Sequence, residues 1–294
     1  MKANVVYFKN SRNMSEVDDE SITLIVTSPP YWNIKDYSKN GYQREQRTEQ
    51  IEGQLYEVKR CEAQIGDIEG YQEYLSALTL VWKDCERVLE PNGKLCINVP
   101  LMPLLKSQLN THYTRDIVNI NSSIEHEILK NTGLYLMDVY IWNRTNPTKK
   151  LMFGSYPKPP NFYAQNTIEF ISVYVKDGPP KPRQEHIKEA SKLTQEEWVT
   201  FTKQVWDIPI PNKNDPAYGK HPAIMPEEMA RRLIRLYSFV EDIVLDPFWG
   251  SGTTGKVAME LNRRWIGYEI DPSYKTVIET KLGTPLSLDF QLYI

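Results

Sequence analysis

The chain has 294 residues, 40% of them hydrophobic and 25% charged, with a formal net charge of −3. That length and balance suit one large α/β domain with a small appendage, and they give no global sign of nucleic-acid binding. Cys61, Cys85 and Cys96 are odd in number without CxxC spacing, and the four histidines are scattered, which argues against a disulfide framework and a metal site.

In chain order, the β-rich run Ile22–Thr27 predicts a strand that ends at Ser28-Pro29-Pro30-Tyr31-Trp32. Two prolines forbid strand or helix to continue, so the strand delivers a rigid loop. Residues 36–67 are polar and poorly periodic and read as a long loop or insertion. Within it, the charged stretch 43–62 reads as a solvated insertion, with a DNA-clamping loop as the alternative. Tyr74, Leu75, Leu78, Val81, Trp82, Cys85 and Leu89 recur at helical spacing. Pro91-Asn92-Gly93 breaks that helix, and Leu95–Val99 follows as a strand. A helix over Ile117–Asn131 stops at Gly133, and Tyr135–Trp142 is the next strand.

Composition shifts after Trp142. Residues 144–192 hold nine basic side chains, Arg144, Lys149, Lys150, Lys158, Lys176, Lys181, Arg183, Lys188 and Lys192, against four acidic ones. The segment is therefore +5 within a chain of −3, and it is dense in Pro, Tyr and Asn. It predicts a small basic lobe over 144–205, set against a main domain of 1–143 and 206–294. Thr194 and Glu197 form a capping-box pattern that opens a helix running to Val205. Beyond it, Pro226 can start a helix with Met229, Leu233, Leu236 and Tyr237 on its inner face. Ile243–Leu245, Thr253–Leu261, Trp265–Ile270 and Ser273–Leu282 then alternate as strand, helix, strand and helix.

Asp246-Pro247-Phe248-Trp249-Gly250-Ser251-Gly252-Thr253 sits between a predicted strand and helix, where doubly wound sheets bind ligands. Gly250 and Gly252 let backbone approach a ligand, and the Asp246 carboxylate suits a cationic group better than a pyrophosphate. Glu269 closes the next strand, placed to accept hydrogen bonds from ribose hydroxyls. Gly250, Gly252 and Gly255 also match the dinucleotide fingerprint, so a nicotinamide or flavin cofactor stays open on this segment alone.

Ser28-Pro29-Pro30-Tyr31 bears on a different chemistry. An exocyclic amine on a base is a poor nucleophile, and it needs acceptors aimed at its N–H bonds. The Pro29 carbonyl and the Ser28 hydroxyl make such a preorganised pair, and Tyr31 can stack on a base drawn out of a duplex.

The two motifs together resemble the DNA amino-methyltransferases, in the permuted class whose catalytic loop precedes the cofactor loop. The resemblance covers most of the chain. It implies a doubly wound, mostly parallel, seven-stranded methyltransferase sheet with a small basic recognition lobe. It also implies S-adenosyl-L-methionine as cofactor and double-stranded DNA as partner. Ser28, Pro29, Pro30 and Tyr31 are then catalytic. Asp246, Pro247, Phe248, Gly250, Gly252, Thr253 and Glu269 hold the cofactor, with His221 and Pro222 completing the methionine pocket. Gly154 to Pro157 and Asn166 to Glu169 are similar to the stretch before and inside the recognition region, where Lys149, Lys150 and Lys158 are the candidate DNA contacts. The family commonly has Gly-Asp after the strand that Val5–Phe8 matches. Here Lys9-Asn10 stands in that place, leaving Asn10 as the candidate adenine contact. Serine in the first loop position favours cytosine N4 over adenine N6, and it argues against the RNA and protein-glutamine enzymes, which usually have Asn there. A restriction-modification role, with a separately acting endonuclease, and a solitary role fit equally. The sequence leaves oligomeric state open. No signal peptide or membrane-length apolar run is seen, so a cytoplasmic setting is expected.

Overall fold

The computed structural model describes residues 1–32, 47–51, 54–58, 64–104, 116–146, 157–160, 164–221 and 223–286. The first half of the chain contains β1 (Val5–Tyr7), β2 (Ile22–Thr27), β3 (Arg47–Ile51), β4 (Gln54–Val58), α1 (Tyr71–Val88) and β5 (Leu89–Pro100). Then come β6 (Met102–Pro103), β7 (Ile117–Val118), α2 (Ile120–Asn131), β8 (Leu134–Arg144) and β9 (Ile168–Lys176). The last third holds α3 (Glu185–Ala190), α4 (Gln195–Phe201), β10 (Val205–Ile208), α5 (Glu227–Tyr237), β11 (Ile243–Asp246), α6 (Thr253–Glu260), β12 (Arg264–Tyr268) and α7 (Lys275–Leu282).

Among the described residues the main sheet has eight strands in the order β1-β12-β11-β2-β5-β9-β8-β10, one more than the seven expected. Only β9 runs against the others, pairing antiparallel with both β5 and β8. The extra strand is β10, which pairs parallel with β8. The capping box is formed, with Glu197 N donating to Thr194 Oγ1 at 3.1 Å and Thr194 N to Glu197 Oε2 at 2.8 Å. The helix it opens, however, ends at Phe201 and does not reach Val205. Val205–Ile208 alternates exposed and buried, the period of a half-covered strand.

A larger departure concerns 144–205. Residues 168–176 form β9, with five successive buried residues, inside the main sheet between β5 and β8, so that span is not one separate lobe. A second departure lies in 36–67, where β3 and β4 pair as an antiparallel hairpin.

Helices cover both faces. Ile22, Ile25, Leu95, Ile97 and Val99 meet α1 and α2 through Leu78, Val81, Trp82, Ile124 and Ile128. Leu24, Val26, Cys96, Ile171 and Val173 meet α5, α6 and α7 through Met229, Leu233, Val257 and Ile278. Alternate residues of one strand thus feed two cores, as the two-residue period requires. The α1 stripe agrees with the expected spacing, except that Leu89 caps the helix and opens β5. Among the described residues no helix is long and apolar enough to cross a membrane.

Candidate active site

The carboxyl ends of the seven parallel strands and the start of β9 share one edge of the sheet. A cavity of about 650 Å³ runs along that edge from Lys9 and Asn10 beyond β1 to Ile210 beyond β10. Two segments far apart in the chain meet at its middle. β2 and β11 are parallel neighbours, with Leu24 opposite Val244 and Ile25 opposite Leu245. Thr27 Oγ1 donates to Asp246 Oδ1 at 2.7 Å across 219 residues of sequence. This is the adjacency expected of a permuted chain at a topological switch point.

One end of the cavity is built by the glycine turn. Asp246, 4% exposed, ends β11; Oδ1 also accepts from Phe248 N at 3.0 Å and Oδ2 from Thr254 Oγ1 at 2.7 Å. Burial pushes this carboxyl up to about 6, against the pull of those three donors. Glu269 follows β12 and accepts from Gly250 N and Asp271 N, both at 2.8 Å. Burial, with the Asp271 and Asp246 charges adding to it, pushes Glu269 up to about 8. Among the described residues neither Asp246 nor Glu269 is ion-paired. Gly250 has φ of 52°, and a Cβ there would lie 2.9 Å from His221 Nε2. Gly252 (φ 87°) turns the chain into α6 without lining the cavity.

The cavity brings together Asn10, Ser28, Pro29, Pro30, Tyr31, His221, Asp246, Pro247, Phe248, Gly250, Thr253 and Glu269. Some are already engaged. Asn10 Oδ1 accepts from Arg12 N at 2.8 Å, closing its own turn. His221 Nδ1 accepts from Ala223 N at 3.2 Å, and its ring lies 4.8 Å from that of Tyr274. Lys158 is exposed and outside the cavity lining. Lys149, Lys150 and Pro222 lie outside the described residues.

Ser28 Oγ and Tyr31 Oη are 3.1 Å apart and share a hydrogen bond. Tyr31 is 6% exposed and packed into the core, so it presents to the cavity a wall instead of a free ring. The loop is braced from α1. Tyr74 Oη donates to the Pro30 carbonyl at 3.0 Å, the Trp32 ring lies tilted against that of Tyr71 with centroids 4.8 Å apart, and Trp32 Nε1 donates to Glu69 O at 3.2 Å. A loop already held in place loses little freedom when a substrate arrives.

Three features escaped the sequence reading. The fully buried Lys281 ammonium donates to Asp215 at 2.9 and 3.1 Å and to Thr253 Oγ1 at 2.8 Å, clipping the 211–221 wall to the start of α6. Trp249, 3% exposed, wedges its indole between α6 and β12. A Cβ at Gly255 or Gly267 would come within 2.1 Å of that ring. Gly255 is thus explained by close packing on Trp249, with no dinucleotide needed. Lastly, six of the nine basic residues of 144–192 are ion-paired: Arg144, Lys176, Lys181 and Arg183 with acids distant in sequence, and Lys188 and Lys192 with their near neighbours Glu185 and Glu189 on the surface. The partners of Lys281, Arg144, Lys176, Lys181 and Arg183 are distant in sequence and left no local signal.

Known proteins give the site its context. A family model described as a DNA methylase, of the N6/N4 class, matches residues 22–280. Type II methyltransferase M.MjaI of Methanocaldococcus jannaschii is 34% identical over 300 residues, covering 98% of this chain and 94% of its own. Type II methyltransferase M.MthZI of Methanothermobacter thermautotrophicus is 31% identical, covering 98% of this chain and 78% of its own. Among solved structures, TTHA0409 of Thermus thermophilus, complexed with S-adenosyl-L-methionine, aligns with a TM-score of 0.70 at 25% identity, over 95% of this chain and 93% of that one. The cytosine-N4-specific PvuII DNA methyltransferase aligns with a TM-score of 0.63 at 20% identity, over 94% and 85%, a likeness of fold. On this match of sequence, sheet order and site, the chain belongs to the N6/N4 DNA methylase family.

Proposed function

We propose that the chain transfers a methyl group from S-adenosyl-L-methionine to the N4 amine of a cytosine in a specific duplex DNA sequence. One observation carries the reading: the Ser28–Tyr31 loop and the buried Asp246 line one cavity and are joined by the Thr27–Asp246 hydrogen bond.

The cavity fits the cofactor on chemical grounds. Two buried carboxylates, neither of them ion-paired among the described residues, suit a ligand that brings positive charge and hydroxyl donors. Asp246 would hold the ammonium and Glu269 the ribose, with Pro247, Phe248, Gly250, Thr253, His221 and Asn10 enclosing the rest. Pro222 belongs to this proposed set by its place in the chain. The bound cofactor supplies an electrophilic methyl carried on a sulfonium.

The protein's own task is to present the amine. Ser28 Oγ and the Pro29 carbonyl accept its two N–H bonds and leave the nitrogen lone pair directed at the methyl. Tyr31 fixes the Ser28 hydroxyl and walls the base. Cytosine is favoured because the Ser28 hydroxyl can donate to the N3 acceptor beside its amine, where a carboxylate could only accept and would repel it; adenine presents N1 in the same place and is the alternative target. Lys149, Lys150 and Lys158 are proposed phosphate contacts, and a separately acting endonuclease fits the Type II relatives.

The test is the product. DNA methylated by the wild-type enzyme, digested to nucleosides and weighed by mass spectrometry, is expected to contain N4-methylcytosine. Ser28→Ala should lower its rate of formation by about 10²- to 10³-fold, the usual loss when one preorganised partner of the reacting group is removed. N6-methyladenine as the sole product would overturn the cytosine reading.

A further inference from the structure

Past the Ser28–Tyr31 loop, the far half of the cavity is lined by residues that the chemistry above leaves idle. Arg144 ends β8, Glu169 stands at the start of antiparallel β9, and Trp142 lies opposite Glu169 in the register of the two strands. The reversal of β9 is what brings its first residues to the same edge as the other strands' last ones.

Arg144 is fixed there on several sides. Its Nε donates to Thr167 O at 3.2 Å, its Nη2 donates to Asn166 O, and Nη1 lies 3.4 Å from Glu169 Oε1. Asn166 is itself tied by its Nδ2 to Leu101 O at 2.7 Å. A guanidinium carries five N–H groups in a rigid fork, so these three partners orient it without exhausting it. Glu169, 6% exposed, neutralises the arginine, and the pair together presents an oriented donor with no net charge. An uncharged ligand with an acceptor oxygen suits such a pair.

The ring of the target base offers that choice of atoms. In cytosine the edge bearing the amine continues through N3 to the O2 carbonyl. In adenine it continues through N1 to a carbon bearing hydrogen. With the amine held at Ser28, a donor at the far end of that edge finds an oxygen in cytosine and a C–H in adenine. We propose that Arg144, oriented by Glu169, donates to O2 of the extruded cytosine and is a specificity-determining residue for the target base. The inference rests on the cytosine reading. A donor that the bound base shuts off from water and leaves facing a C–H keeps its desolvation cost unrecovered, which makes the discrimination one of rejection as well as attraction.

The experiment uses the full chain and a duplex carrying its methylation site, mapped first with wild-type enzyme. The paired variant Arg144→Met with Glu169→Gln removes the donor without stranding a buried carboxylate. Its affinity for S-adenosyl-L-methionine should be unchanged by calorimetry. Its kcat/KM on the cytosine duplex should fall about 10- to 100-fold, the worth of a charge-assisted hydrogen bond. The preference for cytosine over adenine at the target position should fall with it. Arg144→Lys keeps the charge beside Glu169 and serves if the pair misfolds; it should shift the preference in the same direction. An unchanged preference ratio in a wild-type enzyme that makes N4-methylcytosine would overturn this inference alone. Loss of cofactor affinity in both variants would also overturn it, since Arg144 would then brace the whole cavity. A wild-type enzyme making only N6-methyladenine would overturn the cytosine reading and this assignment with it.

Discussion

The two ends of the cavity handle buried charge in opposite ways. At the end next to β11 and β12, Asp246 and Glu269 are buried and held, among the described residues, by hydroxyl and backbone donors alone. At the end next to β8 and β9, the buried Glu169 is matched by Arg144 at 3.4 Å. An uncompensated buried carboxylate is costly, and that cost is relieved when a cation enters. The first end is thus set for a positively charged ligand, and the second for a neutral one. One cavity can therefore hold a cationic donor and an uncharged base without either taking the other's place.

The most severe test of that contrast is Lys281, a buried cation that touches the first end through Thr253. Lys281→Met should destabilise the fold by about 3–5 kcal/mol, because it strands Asp215 without its partner. Adding Asp215→Asn should restore most of the loss in denaturant melts. If Lys281 is spent on Asp215, the double variant keeps its affinity for S-adenosyl-L-methionine. A large loss of affinity there would mean that Lys281 belongs to the charge balance of the cofactor end, and the contrast would fail.

A finer test compares the carboxylates themselves. Asp246→Asn should weaken cofactor binding by about 10- to 100-fold, as expected for losing a charge-assisted partner. Glu169→Gln should leave that affinity unchanged. Calorimetry on both variants reads the two ends separately, and equal losses would erase the distinction.

The smallest effect is one of pH. With burial holding Asp246 at about 6 and Glu269 at about 8, the free protein keeps protons on both more readily than an unfolded chain does. The free fold is accordingly favoured as pH falls through 8 and then 6. In the proposed binding mode the cofactor demands the ionised forms, so its affinity should be full above about pH 8, decline between 8 and 6, and fall more steeply below 6. Binding at neutral pH should release protons, measurable as a dependence of the calorimetric heat on buffer ionisation enthalpy. A flat affinity profile over this range would show that neither group titrates on binding.

The cofactor end was the more legible of the two in the sequence, for a physical reason. Asp246, Gly250 and Gly252 lie within seven residues of a strand-to-helix turn, and two prolines mark the end of β2. Local backbone demands write themselves into local sequence. Even there Gly255 misled, because its neighbour in space is an indole and no pyrophosphate is required. At the other end the signal is split. Arg144 and Glu169 are 25 positions apart, and β9 lies inside a stretch whose prolines and lysines read as a loop-rich lobe. Ion pairing hid the rest, since Lys176, Lys181 and Arg183 look in composition like a DNA-binding surface but are paired with Glu20, Glu90 and Asp242. Lys281 with Asp215 had no legible signature, since neither residue stands out among its own neighbours.

The indole wedge has a consequence for the relatives of this chain. Trp249, Gly255 and Gly267 draw on a single volume, because the ring occupies the space that a Cβ at either glycine would need. Such positions are expected to covary. A homologue with a smaller side chain at the place of Trp249 can carry alanine or serine where Gly255 or Gly267 stands, and one that keeps the tryptophan cannot. Close packing makes that exchange nearly conservative in total volume while any single step is not. Substitution should therefore reach these three sites in pairs.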